Sequence, residues 1–314
     1  MIFITFFSKI QPEQEQRTFT ISFLKYCLKG GNPQKLYKMN IGYTAANGKS
    51  TEMEMHQAVF PIYTYELENT FFSKTCTMRH KFGAKIVECP IRLAFIEELD
   101  EAQLDENFMK KFGNCQNIQL QKMYDTMTDN SRIQCKLITT SNKDPNMKLD
   151  KGLIRRTLIQ KYESQFVSKN AVNESKNCYL MDTTWVETRF SQDSYKLAYF
   201  HFLLKEGHVQ PEIIVPESNV QLVQDQVLEN DDFLVKLNEH FVITKDEFHT
   251  VSQSVVRGIF ESRDMPVRKI NTDLKRLGVM PGKCKRVYRG IRRLTQDEIN
   301  ERESDAGLLI DDPE

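Results

Sequence analysis

The sequence predicts an α/β protein in which a mainly parallel sheet is covered by helices. Two observations support this fold class. Short apolar segments that suit buried strands alternate with longer segments that suit helices, and polar or charged residues follow several of the strand candidates. The strand candidates are residues 36–41, 93–96 and 135–140, and the clearest helix candidate is Lys49–Val59.

Length, composition and charge set outer limits on function. The chain has 314 residues and 40% hydrophobic residues, enough to fill a large core. Its 43 basic residues balance 43 acidic ones, so a basic contact surface for nucleic acid would have to be local. The apolar residues 1–7 lack a basic flank and a cleavage site, and no stretch of about 18 apolar residues follows. These features argue against a membrane or secreted protein.

The seven cysteines are odd in number, widely scattered and never spaced as metal-binding pairs. We interpret them as reduced thiols of a cytosolic protein.

Changes in pattern predict five segments. A helical N-terminal segment ends at Lys-Gly-Gly-Asn-Pro, and an Asn/Ser/Lys-rich stretch, 168–177, is expected to be a boundary or an exposed loop. Helices are expected at 195–205 and 221–241, and a compact basic module at 270–292. The predicted segments are a helical segment 1–35, an α/β core 36–167, a helical region 168–240, a C-terminal module 241–294 and a charged tail 295–314.

A phosphate-binding turn is the strongest local signal. Gly48 allows a tight turn, Lys49 can reach the β- and γ-phosphates of a nucleotide, and the Ser50 hydroxyl can bind Mg²⁺ at a helix N-terminus. Tyr43 stands where the usual spacing has a first glycine, and Gly42 comes one residue early. An ordinary turn and helix cap is the alternative. The residues of the predicted turn are Ala46, Asn47, Gly48, Lys49, Ser50 and Thr51.

Two adjacent carboxylates end the next strand candidate. Neighbouring residues on a strand point to opposite sides, so Glu97 and Glu98 should differ in role. Glu97 is assigned to the Mg²⁺ ion and Glu98 to the attacking water, and the two could be exchanged. A solvated strand end is the alternative.

An amide side chain follows the third strand candidate. Asn142 could hold the attacking water and sense the γ-phosphate, or it could belong to a simple turn. The order of phosphate turn, acidic strand end and polar strand end is the one that a phosphate-hydrolysing sheet requires.

Two further pairs of residues are candidates for contacts outside a single nucleotide site. Lys122 and Tyr124, near an expected hairpin, could grip a DNA backbone and stack on a base, or be merely solvated. Arg155 or Arg156 could neutralise charge on a transferring phosphoryl group of a neighbouring subunit, or be surface residues without a function.

Taken together, these motifs resemble the superfamily 3 helicases, specifically the helicase half of poxvirus-type and of phage or plasmid primase-helicases. The similarity extends over about residues 20–292. It rests on the order and spacing of the turn, the two strand ends and the arginine pair. Residues 216–220 and 228–233 resemble the family's helices after the motor, and 274–279 with 285–291 resemble its winged-helix-like element.

The resemblance implies a P-loop NTPase core, AAA+-like, with a C-terminal helical and winged-helix-like module. It implies an ATP-dependent, Mg²⁺-dependent DNA helicase of viral DNA replication that forms a ring, commonly a hexamer, around single-stranded or forked DNA. Lys49 and Ser50 would bind phosphate and Mg²⁺, Asn142 would sense the γ-phosphate, and Lys122 would face the DNA.

The N-terminal region is shorter than in relatives that carry a primase. The sequence contains no primase site, so the primase would be a separate protein or the chain a shortened or split version of a longer one. The expected location is the host cytoplasm or a viral replication site. Two alternatives are an inactive P-loop relative that serves as a DNA-binding or ring subunit, and another P-loop ATPase that acts in packaging or on proteins.

Overall fold

Two compact units make up the chain in the computed structural model, Met1–Val227 and Leu228–Glu314. We call them the N-terminal and the C-terminal unit. The predicted segment boundaries are finer than this division and stay predictions. The structure describes residues 2–77, 79–99, 104–121, 128–143, 151–209, 212–229, 232–244, 246–261, 267–282 and 286–300.

A five-stranded parallel sheet organises the N-terminal unit, with strand order β2-β3-β6-β1-β7. The predicted parallel sheet is therefore confirmed. All residues of the two central strands β1 and β6 are buried, as expected for a sheet covered on both faces. The five strands are β1 (Tyr37–Ile41), β2 (Thr64–Glu66), β3 (Leu93–Glu97), β6 (Lys136–Ser141) and β7 (Thr157–Lys161).

Helices cover both faces of this sheet. On one face, Phe71, Phe72 and Phe112 pack against alternate side chains of the strands, and on the other face Phe7, Phe23 and other aromatic residues form a second core. Each fully buried aromatic ring contributes about 2–3 kcal/mol from removal of apolar surface from water. The helices of the unit are α1 (Ile2–Ile10), α2 (Gln14–Tyr26), α3 (Lys49–Val59), α4 (Arg79–Glu88), α5 (Glu106–Gly113), α6 (Lys151–Ile154), α7 (Thr184–Glu187), α8 (Asp193–Glu206) and α9 (Glu217–Glu229).

The expected hairpin is present. Strands β4 (Asn117–Gln121) and β5 (Thr128–Arg132) pair antiparallel, with Gln121 opposite Thr128. The DNA-binding candidates Lys122 and Tyr124 fall in the connection and lie outside the described residues. A second small pair, β8 (Gln165–Val167) and β9 (Cys178–Leu180), is parallel, and the stretch 168–176 between its strands is exposed, as the sequence predicted.

The described part of the C-terminal unit contains helices α10, α11 and α12, helical residues 296–300 and two small antiparallel sheets. One sheet has the order β11-β13-β12 and the other pairs β10 with β14. Phe233, Phe260, Leu274 and Tyr288 belong to its core. The elements are α10 (Asp232–Asn238), β10 (Phe241–Ile243), β11 (Thr250–Ser252), α11 (Gln253–Glu261), α12 (Val267–Arg276), β12 (Met280–Pro281), β13 (Val287–Arg289) and β14 (Ile291–Arg293).

The prediction of one helix over 221–241 is wrong in part. The structure has α9 up to Glu229, then α10, and Phe241 already begins a strand. Polar residues of types that favour helix caps, Asn230 and Asp231, stand between the two helices in the sequence. No helix within the described ranges is both long and apolar enough to span a bilayer.

Candidate functional site

The turn between β1 and α3 leaves the sheet at Gly42 and returns to helical geometry at Lys49. Gly48 has φ 89° and ψ 0°, the left-handed conformation, directly before the helix. Ala46 also has a positive φ, 56°, and its carbonyl accepts a hydrogen bond of 2.7 Å from the N–H of Phe166. A residue other than glycine would be strained at position 48, so the predicted requirement for Gly48 agrees with the backbone.

Gly42 occupies the tightest point of this turn. A Cβ atom there would lie 2.2 Å from Asn47 Nδ2 and 2.9 Å from both Lys49 Nζ and the carbonyl oxygen of Tyr162. The sequence pattern placed the expected glycine at position 43, but Tyr43 is 53% exposed. The close approach that requires a glycine therefore occurs one residue earlier.

Lys49 turns back over the loop. Its ammonium group donates to the Gly42 carbonyl at 3.1 Å and to Asn142 Oδ1 at 3.0 Å. Burial lowers the pKa of Lys49, and the carboxylates of Glu98 and Glu97 oppose this shift. The charge is thus held at the loop by fixed acceptors rather than by bulk water.

Asn142 joins two of the predicted residues. Its Oδ1 accepts from Lys49, and its Nδ2 donates to Glu98 Oε1 at 2.7 Å. Glu98 has a φ of 51°, and its N–H donates to the carbonyl of Thr140 at 3.0 Å. Residues from three strand ends, β1, β3 and β6, therefore meet at one edge of the sheet, which is the usual ligand edge of parallel sheets.

Glu97 and Ser50 are exposed beside this group. Partial burial and the Glu97 carboxylate raise the pKa of Glu54, and the same two causes raise the pKa of Glu66. Glu54 lies one turn beyond Ser50 on α3. The Glu97 carboxylate therefore acts electrostatically on both side chains, although the described residues contain no group of three or more His, Cys, Asp or Glu side chains placed to hold a metal ion.

The two arginines lie at the opposite edge of the sheet. The Tyr37 N–H donates to the Arg156 carbonyl at 2.7 Å, next to the amino ends of the parallel strands β1 and β7. Arg156 is 7% exposed and donates from Nε and Nη2 to Asn114 Oδ1, at 3.3 and 3.1 Å. Arg155 is exposed. The structure does not bring either arginine to Lys49 of the same copy.

A buried cluster of polar side chains connects the start of α3 to β1. Lys38 Nζ lies 3.7 Å from Glu52 Oε1, with both side chains fully buried, and the Tyr162 hydroxyl donates to Glu52 Oε2 at 2.7 Å. Burial raises the pKa of Glu52 and lowers that of Lys38, while each partner's charge opposes the shift. Glu52 lies one turn after Lys49, so this group fixes the start of α3 against β1.

An apolar cavity of about 520 Å³ adjoins the turn. Ala46, Gly48 and Thr51 form one side, α1 contributes Phe6, and the buried Trp185 contributes another wall. Asp182 and Arg189 also line the cavity and form an ion pair of 2.7 Å. Sequence reasoning missed this cavity; its one local signal is Trp185, the single tryptophan of the chain.

No protein-family model matches the sequence, and no curated protein matches it. Three solved apo structures of the NrS-1 C-terminal region are similar to this chain, with TM-scores of 0.48, 0.47 and 0.49 and identities of 11%, 9% and 11%. They cover 88%, 88% and 93% of this chain. The chain spans 62%, 62% and 67% of those chains. A likeness of this degree assigns no function.

Proposed function

We propose that this chain is an ATP-dependent DNA helicase of the superfamily 3 type, a ring-forming motor on single-stranded DNA in viral DNA replication. One observation carries the proposal. Three residues predicted from separate motifs are joined at the carboxyl edge of a parallel sheet, where Asn142 accepts a hydrogen bond from Lys49 and donates one to Glu98. A surface turn without a function would not require this arrangement.

The turn fits a triphosphate. The left-handed Gly48 turns the backbone at the N-terminus of α3, where N–H groups and the helix dipole favour anions. Gly42 leaves the space that Lys49 Nζ now fills. In this proposal the turn is a P-loop, and Lys49 exchanges the Gly42 carbonyl for the β- and γ-phosphate oxygens.

The acidic end of β3 has side chains suited to bind Mg²⁺ and to activate the attacking water. Ser50 and Glu97 would hold Mg²⁺, which would neutralise charge on the phosphates. Glu98 would accept a proton from the attacking water, and its hydrogen bond from Asn142 would set its orientation. Because Asn142 also contacts Lys49, it would link the occupancy of the phosphate site to the carboxylate that activates water.

The cavity beside the turn fits a nucleobase. Its volume of about 520 Å³ and its apolar lining suit an aromatic ring. The Asp182–Arg189 pair offers polar groups at its margin.

The remaining parts of the proposal concern DNA. We assign the connection of the β4–β5 hairpin, with Lys122 and Tyr124, to the DNA channel of the ring. Within its described residues, the C-terminal unit has the element order helix, two strands, two helices and three strands, with β13 central in its three-stranded sheet, and we propose that it is winged-helix-like.

The test is ATP hydrolysis with and without single-stranded DNA. Lys49→Ala should abolish hydrolysis, because it removes the ammonium group that would contact the β- and γ-phosphate oxygens. Lys205→Ala, on the exposed face of α8, is the matched control and should behave as wild type. If the wild-type chain hydrolyses ATP no faster than Lys49→Ala, the motor proposal fails. Lys122→Ala should lose the stimulation by DNA while basal hydrolysis remains.

A further inference from the structure

Three buried polar side chains contact one another beneath the phosphate turn. Lys38 of β1 and Glu52 of α3 lie 3.7 Å apart, and the Tyr162 hydroxyl donates to Glu52 Oε2 at 2.7 Å. Lys38 Nζ also donates to the Tyr162 hydroxyl at 3.4 Å. Tyr162 follows the last residue of β7, so the cluster joins two strands of the sheet to the helix that carries Lys49.

Packing alone does not explain charges at this place. Removing a carboxylate and an ammonium group from water is costly, and apolar side chains of similar volume often serve a core equally well. The Lys38 ammonium lies 6.0, 5.8 and 5.8 Å from the ring centroids of Phe19, Phe23 and Tyr162. An apolar residue at position 38 would also suit these rings. The charges therefore indicate a role that depends on direction, as a hydrogen bond does.

Tyr162 contacts the turn at both of its ends. Its N–H donates to the Ile41 carbonyl at 2.6 Å, at the last residue of β1. Its carbonyl oxygen would lie 2.9 Å from a Cβ atom at Gly42. Its hydroxyl holds Glu52, three residues after Lys49. Tyr162 therefore borders the entry of the turn with its backbone and the exit with its side chain.

Glu52 connects this contact to the phosphate-binding part of the turn. Its N–H donates to the Gly48 carbonyl at 3.0 Å, which closes the first turn of α3. Residues three apart on a helix lie on the same side, so Glu52 and the buried Lys49 are neighbours on one face. A shift of Glu52 would therefore move Lys49 and the N–H groups at the start of the helix.

We propose that Tyr162 and Glu52 are positioning residues, whose hydrogen bond sets the start of α3 and thereby places Lys49 for the phosphates of the nucleotide. Neither residue touches the nucleotide in this assignment. The charge of Lys38 opposes the rise that burial causes in the pKa of Glu52, so it favours the carboxylate as acceptor for Tyr162. The consequence for ATP rests on the proposed function, whereas the position of α3 does not.

Hydrogen exchange on the full chain without nucleotide tests the position of α3. Tyr162→Phe removes only the hydroxyl, and the amide groups of residues 52–56 should exchange about tenfold faster. Tyr26→Phe is the matched control, because it also removes a buried hydroxyl, one that donates to Asn32 Oδ1 at 3.0 Å. In the control, exchange over residues 52–56 should equal that of wild type.

ATP hydrolysis tests the consequence for Lys49. In Tyr162→Phe the KM for ATP should rise about tenfold while kcat stays within about threefold of wild type, because Lys49 would contact the phosphates before as well as during the reaction. Tyr26→Phe should keep both constants.

A conservative double variant separates the hydrogen bond from the charges. Lys38→Met/Glu52→Gln removes both charges and keeps an oxygen acceptor for the Tyr162 hydroxyl. It should show wild-type exchange over residues 52–56 and a wild-type KM for ATP. The same losses as in Tyr162→Phe would overturn the assignment to the hydrogen bond.

Other results would overturn the proposal as a whole. One is wild-type exchange over residues 52–56 in Tyr162→Phe. Another is an equal increase in exchange across the five strands of the sheet, which would mark a general loss of stability. With an active wild type, an unchanged KM in Tyr162→Phe would also overturn it. A wild-type chain without ATPase activity would refute the proposed function alone, because the exchange measurement uses no nucleotide.

Discussion

Gly42 shows how one backbone position shapes the turn between β1 and α3. Gly48 has the left-handed conformation that suits the glycine expected before Lys49, whereas the first glycine of the expected spacing is replaced by Tyr43, with Gly42 one residue earlier. Spacing patterns count residues, whereas the steric requirement depends on which atoms approach the backbone. Here Asn47 and Lys49 do so at position 42, and no linear pattern contains that information.

Gly42→Ala should therefore impair the turn. Its Cβ would collide with Asn47 Nδ2 at 2.2 Å, so we expect a loss of stability of about 1–3 kcal/mol and a loss of ATP hydrolysis. Gly258→Ala is the matched control, because a Cβ there meets no atom within 4 Å and alanine favours the helix by up to about 1 kcal/mol. Thermal unfolding and ATPase assays check both variants, and wild-type values for Gly42→Ala would refute the steric argument.

His56 gives the fold a defined sensitivity to acid. Burial lowers the pKa of His56 to about 3, against 6.5 for the free side chain. Below pH 6.5 the unfolded chain binds a proton that the folded chain excludes, so the free energy of unfolding falls as the pH is lowered. Between pH 6.5 and 4 this residue should remove about 3 kcal/mol.

The variant His56→Asn tests this contribution, since asparagine keeps a polar atom for the Tyr199 hydroxyl, 3.3 Å from His56 Nδ1. Denaturant unfolding at pH 7 and pH 4 should show a smaller loss of stability in the variant than in wild type. His201→Asn, at an exposed position of α8, should keep the wild-type dependence. Parallel curves for wild type and His56→Asn would contradict the prediction.

At the scale of elements, the sequence predicted the strands and helix that hold the site. The helix Lys49–Val59 has the expected bounds. The candidates 36–41 and 93–96 differ from β1 and β3 by one residue at one end, and 135–140 differs from β6 by one residue at each end. Strong apolar runs and a glycine before a helix are local signals, so a single sequence suffices for them.

Other elements depend on contacts that are distant in sequence. Strand β7 was not predicted, because Gln160 interrupts its apolar pattern. The side chain of Gln160 is buried, and its hydrogen-bond partner comes from α2, where the Thr20 hydroxyl donates to Gln160 Oε1 at 3.0 Å. The order β3-β6-β1 places the polar strand between the other two. That position is what allows Asn142 to contact both Lys49 and Glu98, and the order along the chain does not reveal it.

The amino edge of the sheet distinguishes the two arginines. Arg156→Ala would leave Asn114 Oδ1 and the Gly152 carbonyl without their donor, so we expect a loss of about 1–3 kcal/mol in unfolding. Arg155→Ala should unfold within about 0.5 kcal/mol of wild type, because the side chain is exposed. Chemical denaturation of both variants checks this contrast, and equal destabilisation would contradict it.

For the whole molecule, the two edges of the sheet cannot serve one nucleotide. Lys49 follows the carboxyl end of β1 and Arg155 precedes the amino end of β7, and a parallel strand of five residues separates such edges by about 16 Å. Neither Arg155 nor Arg156 of the same copy lies at this edge, so we propose that the arginine of this pair that acts on the phosphates does so on those of a second copy. Arg155 is the exposed member of the pair and the one we assign to this role.

Mixing variants tests the assignment. Lys49→Ala and Arg155→Ala should each be inactive alone in the ATPase assay, and a mixture should regain part of the activity, since each supplies what the other lacks. The ATPase rate of Arg155→Ala alone, at the total protein concentration of the mixture, is the baseline. An active Arg155→Ala protein would exclude this residue as the shared arginine.

Assembly is a separate prediction. With ATP and single-stranded DNA, light scattering should detect a mass several times that of one chain of 36.8 kDa. In the proposed ring, the Lys49→Ala variant would bind the nucleotide between copies poorly and should therefore assemble less. A wild-type monomer under these conditions would count against a ring.

The opposite placement of Lys49 and Arg155 also has a consequence for how activity depends on subunit number. In a linear oligomer, the subunit at one end has a phosphate turn without a neighbouring Arg155, and the subunit at the other end has an Arg155 without a neighbouring turn. Every linear oligomer therefore contains one incomplete nucleotide site, whatever its length. Closing the oligomer into a ring completes that site without any new contact inside a subunit. The rate of ATP hydrolysis per chain should therefore rise with the number of subunits in a linear oligomer and reach its maximum only in the closed ring.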